Sequence, residues 1–173
     1  MTGSAAHAGA VRQLDGHLDD AAHRYYLRVQ YEDTDAGGIV YHAQYLAFAE
    51  RARSAWLRCL GIDQQALLAG DGNGFVVRHI DIDFVQAAAL SAVLEITSEV
   101  MKTGGASVKL RQTITNMQSC HIVARLVVDI GFVNLQSAGV ARACRMPTDI
   151  TNKLAGGLQK WNKMGRQRDA FKI

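Results

Sequence analysis

The sequence lacks the long apolar run that a membrane-spanning helix requires. No stretch approaches the roughly 20 consecutive apolar residues needed to cross a bilayer, and the first 23 residues have neither the basic start nor the continuous apolar core of a secretory signal. The three cysteines, Cys59, Cys120 and Cys144, form neither a CxxC pair nor a cluster of metal-ligand spacing. We therefore predict a cytoplasmic protein whose cysteines are buried, reduced thiols.

The sequence also contains no dinucleotide-binding or phosphate-loop fingerprint. Its 173 residues are enough for one domain with a core and too few for two domains of ordinary size. Hydrophobic residues make up 49% and charged residues 20%, which is the balance of a globular protein and not of a disordered one. These values predict a single globular domain.

Positive charge is concentrated at the C-terminal end. From residue 148 onward, Asp149 and Asp169 oppose six basic residues, namely Lys153, Lys160, Lys163, Arg166, Arg168 and Lys172. This segment is net +4, so the rest of the chain is net −1 of the total of +3. A nucleic-acid-binding domain normally carries a basic face on its folded body, and we therefore expect no nucleic-acid partner.

The chain divides into a flexible leader (1–23), a patterned domain (24–147) and a basic C-terminal extension (148–173). In the extension, one helical face would carry Ile150, Leu154, Leu158, Trp161 and Met164, although two glycines interrupt it. We expect this face to dock on the domain. The alternative is that the basic face contacts anionic membrane lipid or acyl carrier protein.

The patterned domain begins with a strand, a turn and a long helix. Residues Tyr25 to Glu32 alternate and are rich in β-formers, and Asp33 to Gly38 then supply turn residues. A helix is predicted from Ala43 to Leu60, where an apolar stripe recurs every three or four residues (Tyr45, Phe48, Ala49, Ala52, Trp56 and Leu60). The charged Glu50, Arg51, Arg53 and Arg58 lie mostly off this stripe.

Four strands are predicted to follow, at Gly74–Phe84, Val93–Met101, Ala106–Met117 and Cys120–Phe132. The last two alternate most clearly, and Asn116 to Ser119 form a hairpin turn between them. One long helix followed by consecutive strands indicates an α+β fold with an antiparallel sheet.

The run from Tyr31 to Arg53, YEDTDAGGIVYHAQYLAFAERAR, resembles the signature of the hydroxybenzoyl-CoA thioesterase-like hotdog family, and most closely its branch of Tol-Pal-associated acyl-CoA thioesterases. The likeness covers roughly residues 25 to 147. It departs from the family at Gln86 to Ala92, where a proline and acidic residues are usual, and this segment is expected to shape the acyl or cofactor pocket.

The resemblance implies a curved antiparallel sheet wrapped around the long helix, with subunits that join their sheets and share active sites at the interface. It predicts a homo-oligomer, either a dimer or a tetramer of paired dimers. It also predicts an acyl-CoA thioesterase. We expect no cofactor, and we expect no metal because the sequence has no recognised ligand spacing. The edge strand of a sheet packed on one helix independently favours subunit pairing.

Asp35 is the predicted catalytic residue, because it precedes a Gly-Gly turn just ahead of the helix. Glycines admit close approach of a ligand, and the first helical turn offers unpaired N–H groups around Tyr41 to Ala43 that can stabilise an oxyanion. The carboxylate could attack the thioester or activate water. Its structural alternative is a helix cap or an Asx turn.

Other residues near the turn have more than one interpretation. The ring of His42 could orient substrate or water, or it could be a polar residue at a helix start. Glu32 and Asp33 are expected to be turn or strand-end charges, and Glu50 a solvated or interface residue that pairs with Arg53 and is a reserve carboxylate. Asp33, Asp35 and His42 lack a recognised metal-ligand spacing.

Three alternative functions share this sequence pattern. The chain could be a non-catalytic acyl-CoA-binding sensor or scaffold, because a fold does not determine a function. It could instead be a thioesterase that acts on acyl carrier protein. An acyl dehydratase or hydratase would require a different acid-base arrangement, and no second histidine is placed for one.

Overall fold

The computed structural model describes residues 14–19, 22–136 and 140–156. The strands are β1 (His17–Leu18), β2 (His23–Arg28), β3 (Asn73–Phe84), β4 (Val93–Thr103), β5 (Ser107–Asn116), β6 (Ile122–Asn134) and β7 (Arg142–Ala143). The helices are α1 (Gln44–Cys59), α2 (Gln64–Ala69) and α3 (148–156), and a 3-10 turn spans Tyr31–Asp33. In these ranges no helix is both long enough and apolar enough to cross a membrane.

The strands form one antiparallel sheet in the order β1-β2-β4-β5-β6-β3, and β7 pairs with the end of β6. Three of its strands contain register shifts, between Val77 and His79 in β3, between Val100 and Lys102 in β4, and at Val123 in β6. Bulges increase the local twist of a sheet. Within the described residues β3 pairs only with β6, so its other edge is open.

Helix α1 supplies the centre of the core. Its buried stripe includes Phe48, Ala49 and Ala52, all with no exposed surface. The sheet covers this stripe with inward side chains of three consecutive strands in the sheet order, namely Leu94 and Ile96 in β4, Leu110 and Ile114 in β5, and Leu126 and Val128 in β6. The predicted α+β hotdog architecture is confirmed in this arrangement.

The opposite, outer face of the sheet is polar, as the period-two pattern predicted. Three basic residues on it each pair with a carboxylate: Lys109 with Asp129 at 3.2 Å, Arg125 with Asp83 at 3.7 Å, and Arg111 with Glu99 at 4.0 Å. Exposed pairs of this kind contribute at most about 1 kcal/mol each to stability.

Helix α3 docks on the body. Ile150 and Leu154 are buried in the core, and the Lys153 ammonium donates a hydrogen bond of 3.0 Å to the Gly61 carbonyl. The predicted docking of the C-terminal extension on the domain is therefore confirmed for residues 148–156. Leu158, Trp161 and Met164, on which the rest of that prediction depends, lie outside the described residues.

Several predicted elements differ from the structure at their ends. The first strand ends at Arg28 and not at Glu32, because Gln30 and Asp33 form a capping box that starts the 3-10 turn. Helix α2 was not predicted. It starts where Asp63 Oδ1 accepts hydrogen bonds from the backbone N–H groups of Gln65 and Ala66, a cap that stabilises even a short helix.

The prediction that all three cysteines are buried was wrong. Cys120 is exposed in the turn before β6, with a φ of 58°, and Cys59 and Cys144 are half-buried. All three are free thiols. Burial raises the pKa of the Cys59 and Cys144 thiols.

His23 is a buried titratable residue at the start of β2. Its Nε2 donates a hydrogen bond of 2.6 Å to the carbonyl of Asp15, and its Nδ1 has no hydrogen-bond partner within the described residues. A carbonyl only accepts, so the neutral ring carries its proton on Nε2. Burial lowers the pKa of His23, an effect that the hydrogen bond to Asp15 opposes.

We predict that His23 makes the fold sensitive to acid. The folded pKa lies below the ordinary value of 6.5, so the stability contributed by the neutral ring is fully present above pH 6.5 and is lost as the pH falls toward the folded pKa. The loss is at most about 1.4 kcal/mol per pH unit. Urea denaturation at pH 7.5 and 5.5 should show a smaller loss in His23→Gln, and an equal loss in both proteins would contradict the prediction.

Candidate active site

Asp35 lies on a tight turn between the 3-10 segment and α1. The turn is closed by hydrogen bonds from Asp35 N–H to the Ile39 carbonyl (3.0 Å) and from Gly38 N–H to the Asp35 carbonyl (3.0 Å). Gly38 has a φ of 73°, which glycine adopts without strain. The Asp35 side chain is exposed, and its Oδ1 accepts the Gly37 N–H at 2.8 Å.

The Asx turn weighed as an alternative is therefore present, but it engages only one carboxylate oxygen. Within the described residues Asp35 Oδ2 has no hydrogen-bond partner. The carboxylate is thus held in place and keeps one oxygen available, an arrangement that suits either attack or proton abstraction.

The entry to α1 provides free backbone donors beside this turn. Tyr41 N–H donates to the Asp33 carbonyl at 2.9 Å and Gln44 N–H to the Tyr41 carbonyl at 2.8 Å. Between them, the N–H groups of His42 and Ala43 have no acceptor in the described part of the chain. No side chain caps the helix at Ala43, so these amides and the helix dipole can stabilise negative charge.

His42 is exposed and lies in an aromatic setting. Its ring centroid is 4.4 Å from that of Tyr41 and 6.4 Å from that of Phe84. Among the described residues no hydrogen bond joins His42 to Asp35, and no three His, Cys, Asp or Glu side chains form a group that could hold a metal ion.

Asp33, predicted to be a turn or strand-end charge, is the buried anchor of the turn. It is only 1% exposed. Its Oδ2 accepts the Gln30 N–H at 2.7 Å, and its carbonyl accepts the Tyr41 N–H. It therefore ties the strand end to the helix entry, with Asp35 between them. Glu32 is exposed and makes no such contact through its carboxylate.

The alanine-rich segment 86–92 supports the turn from outside. Val40 N–H donates to the Ala88 carbonyl at 2.8 Å, and Ala88 N–H donates to the Tyr45 hydroxyl oxygen at 3.2 Å. Burial raises the pKa of Tyr45, and the bond from Ala88 opposes this effect. Ile39 also forms an isolated bridge with Ala89. The segment thus braces the loop that carries Asp35.

The charged residues of α1 were predicted to lie mostly off the buried stripe, and of these Arg53 is the exception because α1 carries an internal polar network. Arg53 is 4% exposed, and its guanidinium donates to Gln112 Oε1 at 2.6 Å and to Glu50 Oε2 at 2.5 Å. The Gln112 amide donates to the Ala49 carbonyl and to Ser98 Oγ, both at 3.0 Å. The predicted Glu50–Arg53 pair is therefore present, with Glu50 at its exposed end.

A cavity of about 280 Å³ lies beside this network, between α1, α2 and the sheet. Its wall is mainly apolar, and its lining consists of Trp56, Leu57, Phe75, Val77, Val108 and Ile130 together with the polar Glu50, Arg53 and Gln64. A concave apolar space with a few polar groups is typical of small-molecule sites.

Comparisons with known proteins agree with this architecture. Residues 29–154 match the model of the thioesterase-like superfamily. The acyl-CoA thioesterase YbgC of Haemophilus influenzae is 42% identical over 109 residues, which are 63% of this chain and 79% of that protein. A probable thioesterase from Bartonella henselae has a TM-score of 0.66 and 35% identity over 73% of this chain and all of that one.

A solved structure of 4-hydroxybenzoyl-CoA thioesterase, a variant in complex with 4-hydroxybenzoyl-CoA, has a TM-score of 0.72 with 18% identity, covering 77% of this chain and 98% of that one. The chain belongs to the thioesterase-like superfamily. The resemblance to the hotdog thioesterases is thereby confirmed, as is the expected enzyme class, a thioester hydrolase.

We predict that Asp33 acts on turnover by holding the turn. Asp33→Ala removes the acceptor of the Gln30 N–H, so the unfolding free energy should fall by about 1 kcal/mol. The resulting misplacement of Asp35 should lower kcat for thioester hydrolysis by about 10- to 100-fold. Denaturant titration and steady-state kinetics would measure both effects.

Asp33→Asn retains an acceptor oxygen and should recover most of both losses. Glu32→Ala is the matched control, since that exposed side chain makes no hydrogen bond within the described residues. Normal kcat in a folded Asp33→Ala protein would show that the turn needs no anchor.

Proposed function

We propose that this chain hydrolyses acyl-CoA thioesters, with Asp35 as the nucleophile or general base and the amides at the start of α1 as the oxyanion donors. One observation carries the proposal: an exposed carboxylate lies on the same short loop as two backbone N–H groups, and within the described residues one carboxylate oxygen has no donor and the two amides have no acceptor. The curated relatives at 42% and 46% identity are named acyl-CoA thioesterase and acyl-CoA thioester hydrolase.

The reaction requires attack at the thioester carbon and stabilisation of the oxygen that becomes negative. In one route the Asp35 carboxylate attacks, the coenzyme A thiolate leaves, and water hydrolyses the acyl-aspartate anhydride. In the other, Asp35 takes a proton from water as that water attacks. Both routes place the carbonyl oxygen at the His42 and Ala43 amides. A thiol with a pKa of about 8.5 leaves readily as its anion.

The ring of His42 has a separate role in this proposal. Because it lies beside the rings of Tyr41 and Phe84, it forms part of a wall next to the turn and orients the substrate. Its backbone amide, and not its ring, is the group that polarises the carbonyl. A change that keeps the amide should therefore be milder than a change at Asp35.

We propose that the open edge of β3 joins two subunits and completes the site. Antiparallel pairing of two β3 strands places the end of one, at Phe84, beside the first half of the other, where Phe75 and Val77 line the cavity. Phe84 contacts His42. The cavity of one subunit would then receive the acyl group attacked by the Asp35 of its partner.

The proposed assembly is a dimer of this kind, with two dimers forming a tetramer in the cytoplasm. Exposed Val77 and Phe84 favour pairing at β3, because an edge strand with apolar side chains is otherwise prone to aggregate. The basic residues beyond 156 are proposed to contact acyl carrier protein or a membrane surface.

We predict that Asp35→Asn abolishes most turnover without unfolding the protein. Asparagine keeps the size of aspartate and an acceptor for the Gly37 N–H, but it loses the charge needed for attack or proton abstraction. The kcat for acyl-CoA should fall by roughly 10²–10⁴-fold, with a much smaller change in KM. His42→Ala, which keeps the amide, should lose less. The central mechanism would be wrong if folded Asp35→Asn turned over at the wild-type rate.

A single turnover in ¹⁸O-labelled water separates the two routes. Hydrolysis of an acyl-aspartate anhydride by attack at the aspartyl carbonyl would leave the label in the Asp35 carboxylate, whereas direct attack by water on the thioester would place it only in the released acid. Mass spectrometry of the peptide that contains Asp35 reads out the difference.

We predict that the active species is at least a dimer. Light scattering should report a mass well above the 18.8 kDa of one chain, and activity should fall on dilution below the dissociation constant. Mixing Asp35→Asn chains with chains whose cavity is filled by Val108→Trp should restore activity, because one site in each mixed dimer is intact. A fully active monomer would remove the shared-site model.

A further inference from the structure

The first described residues, 14–19, lie against the last turn of α1. They precede the range that matches the thioesterase-like superfamily, which begins at residue 29. Leu18 in β1 pairs with His23 in β2, and Asp15 contacts the helix. We call residues 14–19 the clasp. Because the catalytic turn is at the opposite end of α1, the clasp has no part in the proposed reaction.

Asp15 joins the clasp to both α1 and β2. Its Oδ1 accepts a hydrogen bond of 2.8 Å from Arg58 Nε and lies 2.7 Å from Arg58 Nη2. Its carbonyl accepts the Nε2–H of His23 at 2.6 Å and the thiol of Cys59 at 3.5 Å. The side chain of one residue thus holds the helix end, and its backbone carbonyl holds the ring of His23.

The path of the clasp requires glycine at position 16. Gly16 has a φ of 72°, and a Cβ at this position would overlap the carbonyl oxygen of Arg24. Glycine adopts such a φ without strain and allows this close approach to β2. The Asp15 carbonyl, one residue earlier, is thereby brought to His23.

The clasp contributes no apolar side chain to the core. Leu14 is 72% exposed and Leu18 is 45% exposed, and none of residues 14–19 is buried. Its hold on the domain therefore consists of polar contacts and a short strand pairing. Segments with few buried apolar contacts open at a smaller cost in free energy than the whole domain. The clasp can thus open while the rest of the fold remains intact.

His23 is the residue at which protons act on the clasp. Its Nε2 already donates to Asp15, so an added proton must go to Nδ1. Nδ1 is buried and has no hydrogen-bond partner within the described residues. A protonated ring in the closed clasp would therefore carry a buried donor without an acceptor, which is unfavourable.

The charges around the ring do not compensate for this cost. On β4 the uncharged Ser98 lies directly opposite His23. The Asp15 carboxylate is already paired with Arg58. The remaining titratable or charged groups that face the ring are His17 in the clasp and Arg58 and Cys59 in α1. Burial lowers the pKa of His23, and His17 and Arg58 lower it further.

We propose that the clasp is a pH-operated device: protonation of His23 releases residues 14–19 from α1, while the domain from β2 onward stays folded. In the open clasp the Asp15 carbonyl no longer covers the ring, and water solvates both ring nitrogens. Release also removes the partner strand from residues 23 and 24 of β2. The unpaired edge of the sheet, a site at which another strand can add, is therefore longer in acid.

Proton linkage sets the size of the effect. The ring titrates near its ordinary pKa of 6.5 when the clasp is open and at a lower pH when it is closed. Acid therefore favours the open clasp, and the closed clasp is fully favoured above pH 6.5. Between pH 7.5 and pH 5.5 the equilibrium constant for opening should increase by at most about tenfold.

Thermolysin cleavage before Leu18, followed by mass spectrometry of the full chain, measures the open fraction. The cleavage rate follows the population of the open form when the clasp closes faster than the protease cuts. His23→Gln is the matched variant, since glutamine keeps an N–H donor for the Asp15 carbonyl and does not titrate. The ratio of the wild-type rate to the His23→Gln rate should be about three- to tenfold higher at pH 5.5 than at pH 7.5.

A second variant and an internal standard keep the test independent of His23→Gln. Asp15→Asn removes the ion pair with Arg58 but keeps the carbonyl bond to His23, so cleavage before Leu18 should be faster than in the wild type at both pH values. An unstructured reporter peptide in the same reaction corrects each rate for the pH dependence of the protease. The corrected wild-type rate should still increase on acidification.

Two results would overturn the inference. One is cleavage before Leu18 that depends on pH equally in the wild type and in His23→Gln. The other is cleavage within α1 that increases in parallel with cleavage before Leu18, because the whole domain would then unfold and the clasp would not open by itself. Neither measurement requires turnover, so failure of the proposed thioester hydrolysis would leave the outcome unchanged.

Discussion

The packing of α1 into the sheet is the constraint on which the site depends. Ala49 and Ala52 present only methyl groups to the core, and the backbone of the helix comes close to β4. The position of the helix then determines where its first amides point. A shift of α1 along its axis would break or strain the hydrogen bond from the Tyr41 N–H to the Asp33 carbonyl, which ties the helix entry to the turn that carries Asp35.

The buried Arg53 network makes this position specific. Apolar side chains can slide over one another at a small cost in free energy. Removing the partners of a buried guanidinium, by contrast, costs several kcal/mol of folding stability. Gln112 connects Arg53 to the Ala49 carbonyl and to Ser98. The network therefore links one turn of α1 to β5 and β4 in a single register. Its exposed end, Glu50, forms part of the cavity wall.

The sequence predicted those elements of the fold and site that depend on neighbouring residues or on a periodic pattern. The stripe of α1 and the alternation of β5 and β6 follow from repeats of 3.6 and 2 residues, and the loop with Asp35 is contained in one contiguous motif. Arg53 was missed because its partner Gln112 is 59 positions away. An inward glutamine between Leu110 and Ile114 was the available signal, since a buried amide requires partners.

The anchoring role of Asp33 was missed for a related reason. Asp33 differs from an exposed turn residue only through its hydrogen bonds with Gln30 and Tyr41. These bonds form only when the loop between β2 and α1 folds back on itself. A search for strict alternation also misses bulges, because the extra residue moves every later side chain of the strand to the opposite face.

Strand β3 contains a bulge of this kind, between Val77 and His79. Val77 faces the cavity beside α1, and Ile80, Ile82 and Phe84 continue on that inner side after the bulge. In a regular strand Val77 and Ile80 would lie on opposite faces. The extra residue, Arg78, allows both to face inward and leaves its own side chain on the outer face, over Gly131. The bulge thus lets residues on both sides of it contribute to the inner face of the sheet, so that one local distortion keeps a single apolar face along the length of β3.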